Sequence, residues 1–448
     1  MNKTIYNLIM FFSVSIQPLF AQWSEVGGLN GLAANNTINS VCSDPSGNIY
    51  AGGWFTNSSG KYYVAKWDGS SWSELGGLNG LAANNQIRSV CNDASGNIYV
   101  AGSFTNNSGN YYVAKWDGTS LSELGGLNGL AANNVIFSLY YEASGNLYAS
   151  GLFTNIAGDY YVAKWDGSSW SELGGLNGLA ANDWIRSVCS DTSGNIYAAG
   201  NFTNILGKQY VAKWSGNTWS ELGGLNGLAA NWWVGSICSD DSGNIYAAGL
   251  FTNDSGNCYV AKWNGNTWSE LGGLNGLPAI YYYCISTVCS DAAGNIYASG
   301  IFENNSGNDY VAKWDGSNWT ELVGLGVCQE LYTLCSDASG NIYTSGMFTN
   351  SSGNYYVAKY STGTGLENVF SGDEVQPFPN PVTNELNLKV NSSELSEIIL
   401  YDISSRKILQ EKFTNSISIS TKHLAKGIYI YEVRNKSGMI KKGKVVKD

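Results

Sequence analysis

Between residues 38 and 361, apolar and polar positions alternate in short runs, and the same runs return about every 49 residues. In the first unit, residues 38–43 form a β-branched, alternating run that predicts a strand, A. Asp44-Pro45-Ser46-Gly47-Asn48 is a turn, with a glycine free to take positive φ. Strand B is expected at 49–55, a polar loop at 56–60 and strand C at 62–67. Asp68-Gly69 then makes a tight hairpin into strand D at 72–75. The loop Gly76-Gly77-Leu78-Asn79-Gly80 leads into the next unit. No segment carries a helical period over ten or more residues.

The repeat is marked by Ala-Lys-Trp, with its lysine at Lys66, Lys115, Lys164, Lys213, Lys262 and Lys313, and by Ala358-Lys359-Tyr360 at the end. Four short antiparallel strands per unit, repeated seven times, predict an all-β fold: a seven-bladed β-propeller. A solenoid needs shorter coils, and an open stack of sheets would leave edges free to aggregate. The array starts at a D strand, Trp23-Ser24-Glu25, and stops after strand C at Tyr360. Six blades are therefore continuous, and the seventh is expected to join the N-terminal strand D to the C-terminal strands A to C.

The order Ile49-Tyr50-Ala51-Gly52-Gly53, Val64-Ala65-Lys66-Trp67-Asp68, then Trp72 and Leu75, resembles a kelch-type propeller blade. The resemblance spans residues 22–361. It implies the architecture and leaves function open, because such propellers serve both as enzymes and as binding modules.

The two ends of the chain differ from the repeats. Lys3 followed by the apolar stretch 5–20 and Ala21 reads as an export signal over residues 1–21, short for a membrane span and interrupted by Pro18. No other segment is apolar and long enough to span a bilayer, so the mature chain is expected to lack a transmembrane span. After a linker at 362–376, residues 377–448 alternate as strands of a small β-sandwich. Phe378-Pro379-Asn380-Pro381, Ile399-Leu400-Tyr401-Asp402, Gly427-Ile428-Tyr429-Ile430 and Lys444-Val445-Val446-Lys447 resemble the type A C-terminal sorting domain of the type IX secretion system of Bacteroidetes. The resemblance implies that the secretion machinery is a partner. It also implies export across the outer membrane, cleavage of the tail, and surface attachment or release.

Composition narrows the chemistry. Residues 1–375 hold 12 basic against 28 acidic side chains, so the body repels phosphate backbones and nucleic acid is not an expected partner. The single histidine, His423, lies in the tail, which removes His-based metal and acid–base chemistry from the repeats. The repeated Asp-x-Ser-Gly-Asn turn lacks the further carboxylates of a calcium loop, and no cofactor or metal is implied. Six of nine cysteines, Cys42, Cys91, Cys189, Cys238, Cys289 and Cys335, share one place in strand A, with Tyr140 in the seventh. Equivalent places in neighbouring blades are expected about 10 Å apart, beyond disulfide reach, so these read as small buried hydrophobes. Cys258, Cys284 and Cys328 fall outside the pattern. Cys284 and Cys328 both precede strand A of adjacent blades, which is compatible with a bridge between them.

The copies differ at few positions. Five residues before the strand A cysteine stand Thr37, Gln86, Val135, Trp184, Trp233, Cys284 and Glu330. Three before it stand Asn39, Arg88, Phe137, Arg186, Gly235, Ser286 and Tyr332. Near the end of strand B stand Trp54, Ser103, Leu152, Asn201, Leu250, Ile301 and Met347. In a four-stranded meander all these places fall on one rim. Twelve of the sixteen tryptophans occupy fixed places in strands C and D; the other four, Trp54, Trp184, Trp232 and Trp233, lie on that rim beside Tyr281, Tyr282 and Tyr283. Exposed aromatic clusters mark binding surfaces. The candidate ligand-binding set is therefore Trp54, Arg88, Phe137, Trp184, Arg186, Trp232, Trp233, Tyr281, Tyr282, Tyr283, Glu330 and Tyr332, for a glycan or protein ligand. No residue is assigned a catalytic role. Two other readings stay open: a glycan-cleaving enzyme using carboxylates among Asp159, Asp183, Glu303, Asp309 and Glu330, and a purely structural surface repeat.

Overall fold

A computed structural model of the chain describes residues 22–447 apart from 176–177, 275, 278–284, 305–306, 328, 362–375, 379–381, 390–394, 403–405 and 436–437. The expected export signal and linker lie outside the described residues, as do Tyr281, Tyr282, Tyr283, Cys284 and Cys328. The chain separates into two compact units, one of them Gln22–Thr362.

That unit is a closed ring of seven four-stranded antiparallel sheets. In the first blade the strands run Ile38–Ser43, Ile49–Gly53, Ala65–Trp67 and Trp72–Glu74, paired in the order A-B-C-D. The seven A strands pack against one another around the ring, the last against the first, and so surround the central channel. Each strand B has every residue buried, because it lies between A and C and is covered on both faces by neighbouring blades. This burial explains why strand B is a near-continuous apolar run rather than an alternating one. After it comes a fully buried phenylalanine, Phe55 in the first blade, edge-on to Tyr63 at 4.9 Å.

The blades are fastened to one another by repeated polar contacts. The indole N–H of Trp72 donates to the Val26 carbonyl of the preceding blade at 2.8 Å, and Trp170, Trp219, Trp268 and Trp319 do the same in their blades. Nearer the channel, the Val90 N–H donates to Ser40 Oγ across the blade boundary at 3.0 Å.

The seventh blade closes as the repeat count requires. Strand Gln22–Glu25 pairs antiparallel with Ala358–Ser361, Trp23 opposite Tyr360. The Trp23 indole donates to the Leu322 carbonyl of blade six at 2.8 Å, while the Val26 carbonyl receives the indole of blade one. The N-terminal strand is thus bonded to the blades on both sides of the seam.

The hairpin turns consume their own carboxylates. Asp44 accepts from the N–H groups of Ser46 and Asn48, the Asn48 amide and the Tyr50 hydroxyl, at 2.7–3.0 Å. The six strand A cysteines are free, and only Cys189 is fully buried; the others stay partly accessible. Burial pushes Cys42, Cys238 and Cys335 well above the ordinary thiol range, and neighbouring thiols add to it. Cys258 is disulfide-bonded.

The C-terminal unit holds two antiparallel sheets. One is built from Gln376–Phe378, Glu385–Lys389 and Ser416–Ser420; the other from Lys407–Phe413, Ser396–Asp402, Gly427–Asn435 and Gly438–Lys447. Leu386, Leu388, Ile398, Leu400, Tyr431 and Val433 belong to one buried core.

Candidate functional site

The site is made by a backbone irregularity. In every blade the register between strands A and B skips one residue of strand A. The skipped residues are Asn39, Arg88, Phe137, Arg186, Gly235, Ser286 and Tyr332, the variable position three before the cysteine. A bulge residue lacks a ladder partner and its side chain is re-aimed relative to the strand. Here all seven bulge residues line one cavity of about 800 Å³ at a mouth of the channel. Asn36, Thr37, Trp54, Trp184, Trp233, Glu330 and Met347 complete its wall.

The glycine that ends strand B sets the other part of the wall. At Gly200 and Gly249 a Cβ would collide with the carbonyl oxygens of Trp184 and Trp233. Without it, the backbones close up, and the N–H of Asn201 donates to Trp184 O at 2.9 Å and that of Leu250 to Trp233 O at 3.1 Å. These bonds pin each rim aromatic just before its strand A begins.

Of the expected binding residues, Trp54, Arg88, Phe137, Trp184, Arg186, Trp233, Glu330 and Tyr332 line the cavity. Trp232 is 55% exposed and takes no part in the lining. Gln86 is buried and accepts from the Asn39 amide at 3.3 Å. Positions five and three before the cysteine meet at the same mouth, the latter re-aimed by the bulge.

Aromatic and cationic groups gather on blades two to five. The Arg186 guanidinium lies between two rings, 5.4 Å from the Trp184 centroid and 4.5 Å from that of Trp233. Its Nε–H donates to Asn201 Oδ1 at 2.6 Å. Arg88 lies 5.6 Å from the Phe137 ring, which meets Trp184 edge-on at 6.1 Å. Desolvation lowers the pKa of both arginines; at Arg186 the Asp183 charge opposes this and the charge of Arg88 adds to it. Gly235 leaves room for the Trp233 ring, which a Cβ at that place would meet. Blades six, seven and one add Ser286, Glu330, Tyr332, Asn36, Thr37 and Asn39 beside Trp54 and Met347. Glu330 accepts from the Ser286 hydroxyl at 3.2 Å, and burial raises its pKa. Tyr332 is pushed up to about 12 by burial and by Glu330.

The other acids are placed differently. The Asp183 carboxylate accepts from the Trp184 N–H at 2.7 Å, as Asn36 does from Thr37, so it caps the entry to strand A. Asp159 lies in a loop, its N–H given to Asn155. Asp309 replaces a tyrosine of other repeats and is buried, with Oδ1 unpaired. Burial first, then Glu303 and Glu330, raise its pKa to about 6. Neither Asp309 nor Glu303 lines the cavity. Asn36 and the Asn201 clasp escaped the sequence reading. The place of Asn36 reads Asn85, Asn134, Asp183, Trp232, Tyr283 and Gln329 in the other copies, a variation that could have marked it, whereas the clasp joins strands that only pairing brings together.

Comparison with known proteins fits this division of the chain. Residues 376–447 match the family described as a secretion system C-terminal sorting domain. The chain therefore carries a type IX sorting domain and is exported to the cell surface or secreted. No curated protein sequence matches the chain. Among solved structures it is similar to the extracellular domain of a protein described as a hybrid two-component system from B. thetaiotaomicron, at 11% identity and TM-score 0.52, covering 95% of this chain and 57% of that one. It is similar to the WD40 β-propeller domain of Doa1 at 13% identity and TM-score 0.51, covering 77% and 98%. PorZ, a surface component of the type IX secretion system of Porphyromonas gingivalis, matches at 13% identity and TM-score 0.47, covering 92% and 59%. The chain thus spans less than two thirds of the first and third of these. At such identities the likeness concerns the propeller fold.

Proposed function

We propose that the exported propeller is a non-catalytic binding module that holds a glycan at this mouth. The observation that carries the reading is that each of the seven blades gives its bulge residue to one cavity, at the place where otherwise near-identical copies differ. The cavity volume is that of a small-ligand site, and paired aromatic rings beside hydroxyl- and amide-bearing side chains suit a sugar face. A flat protein partner would not need so concave a mouth. The secretion machinery is engaged through the C-terminal domain and is a separate partner.

The reading is tested on a glycan array with the exported protein and its Trp184→Ala/Trp233→Ala variant. Binding that the variant abolishes, with the melting temperature nearly unchanged, supports it. Binding that survives in the folded variant places the site elsewhere. The carboxylate-dependent alternative draws on Asp309, whose raised pKa lies beside Glu303 and Glu330. Turnover of an array ligand that is lost in Glu330→Gln would favour it.

A further inference from the structure

We infer that the cavity selects a saccharide bearing an anionic group, a uronate carboxylate or a sulfate ester, and that Arg88 and Arg186 receive it. The inference rests on the binding reading above and deepens it.

The cavity wall holds two arginines, Arg88 and Arg186, against one carboxylate, Glu330. Two guanidinium groups share one cavity, each partly withdrawn from water. Neither forms an ion pair; among the described residues the arginine ion pairs are those of Arg406 and Arg434, in the tail. Arg88 Nε is buried without any hydrogen-bond partner. Arg186 gives only its Nε–H to a neutral amide, Asn201. Glu330 accepts from Ser286 and forms an ion pair with neither arginine. Asp183 lies outside the cavity wall; its carboxylate caps the Trp184 N–H and raises the Arg186 pKa through space without contacting the guanidinium.

Withdrawing a cation from water without a counterion is unfavourable, and two like charges make it worse. The stacking rings orient the guanidinium planes but do not neutralise them. Both groups keep N–H donors for a ligand, in the fork geometry that matches carboxylate or sulfate oxygens. The positive spot also stands out against its surroundings, since residues 1–375 hold 28 acidic and 12 basic side chains. A bound anion would restore the balance in the cavity. The saccharide class follows from the opposite wall, where Asn36, Asn39 and Ser286 can meet hydroxyls while Trp184 and Trp233 offer ring faces.

The experiment is an array of uronate-bearing, sulfated and neutral glycans of matched backbone, with an oligoglutamate peptide as a further arm. The full exported chain is probed first, then hits are titrated by calorimetry against wild type, Arg88→Gln, Arg186→Gln and Arg186→Lys. At least one acidic glycan should bind tenfold or more tightly than its neutral counterpart. Each glutamine variant should lower that affinity at least tenfold, with a smaller loss for Arg186→Lys and little change for neutral glycans. The uronate and sulfate arms identify which anion is read. Neutral glycans bound as well as acidic ones, yet lost in Trp184→Ala/Trp233→Ala, would overturn the anion inference and leave the rim reading standing. Binding unaffected by any rim variant would remove both. Tightest binding of the oligoglutamate peptide, or no acidic glycan preferred on the array, would overturn the saccharide assignment.

Discussion

Replacing Trp23 by Ala tests whether the ring is held shut by its N-terminal strand. Trp23 is only 7% exposed, packs against Tyr360 at 5.2 Å, and donates its indole N–H to Leu322 O of the preceding blade. Truncating a buried tryptophan costs about 3–5 kcal/mol. The lost hydrogen bond accounts for about 1 kcal/mol of that. Domains of ordinary stability hold about 5–15 kcal/mol, so the loss is a large share of the whole. Strand Gln22–Glu25 is short and pairs over four residues, so its release would also expose the edge of Ala358–Ser361. Urea unfolding followed by tryptophan fluorescence is the natural assay, because all 16 tryptophans lie between residues 23 and 319 and the tail contributes none. The midpoint should fall sharply. If the ring opens before the rest unfolds, the transition should also broaden, as the apparent m-value drops with lost cooperativity. A loss below about 1 kcal/mol, no greater than that of the half-exposed Trp54→Ala, would show that the seam is not carried by this strand.

Blade two has Leu121 where the other D strands have tryptophan, so Leu121→Trp should add the missing indole bond to the Leu75 carbonyl and raise stability by about 1–2 kcal/mol in the same assay; a neutral or negative change would refute it. Asp309 has a folded pKa of about 6 against an ordinary 3.8, so its protonated form stabilises the fold fully below pH 4, and this is lost as pH rises through 6. Asp309→Asn should therefore gain on wild type between pH 4 and 7, by about 1–2 kcal/mol after allowing for solvent screening, and a pH-independent difference in melting temperature would count against this. Gly235→Ala should displace the Trp233 ring from Arg186 and weaken glycan binding at little cost in stability; unchanged affinity would show that the sandwich is not used. Removing residues 376–448 should leave the propeller folded but keep it inside the outer membrane, as read by cell fractionation.

The sequence alone determined the blade, its number of copies and the closure, because these depend on local alternation, turn chemistry and counting. Ile38, Asp44, Gly47 and Trp72 each act within their own blade or an adjacent one, so a repeated pattern is enough to place them. The tail was equally legible, its alternating runs forming the two sheets around Leu386 and Tyr431. The rim was legible only as a set of places where copies diverge. What tertiary structure decided was how those places meet. The bulge in strand A is invisible to a period of two, because it depends on which residue pairs with strand B. It brings Asn39, Arg88, Phe137 and Arg186 to one mouth, from positions about 49 residues apart in sequence. The position of Arg186 between Trp184 and Trp233 likewise needs two adjacent blades in register. Likewise, Asp309 is one acid among many in the sequence, and it became exceptional only when packing removed its water.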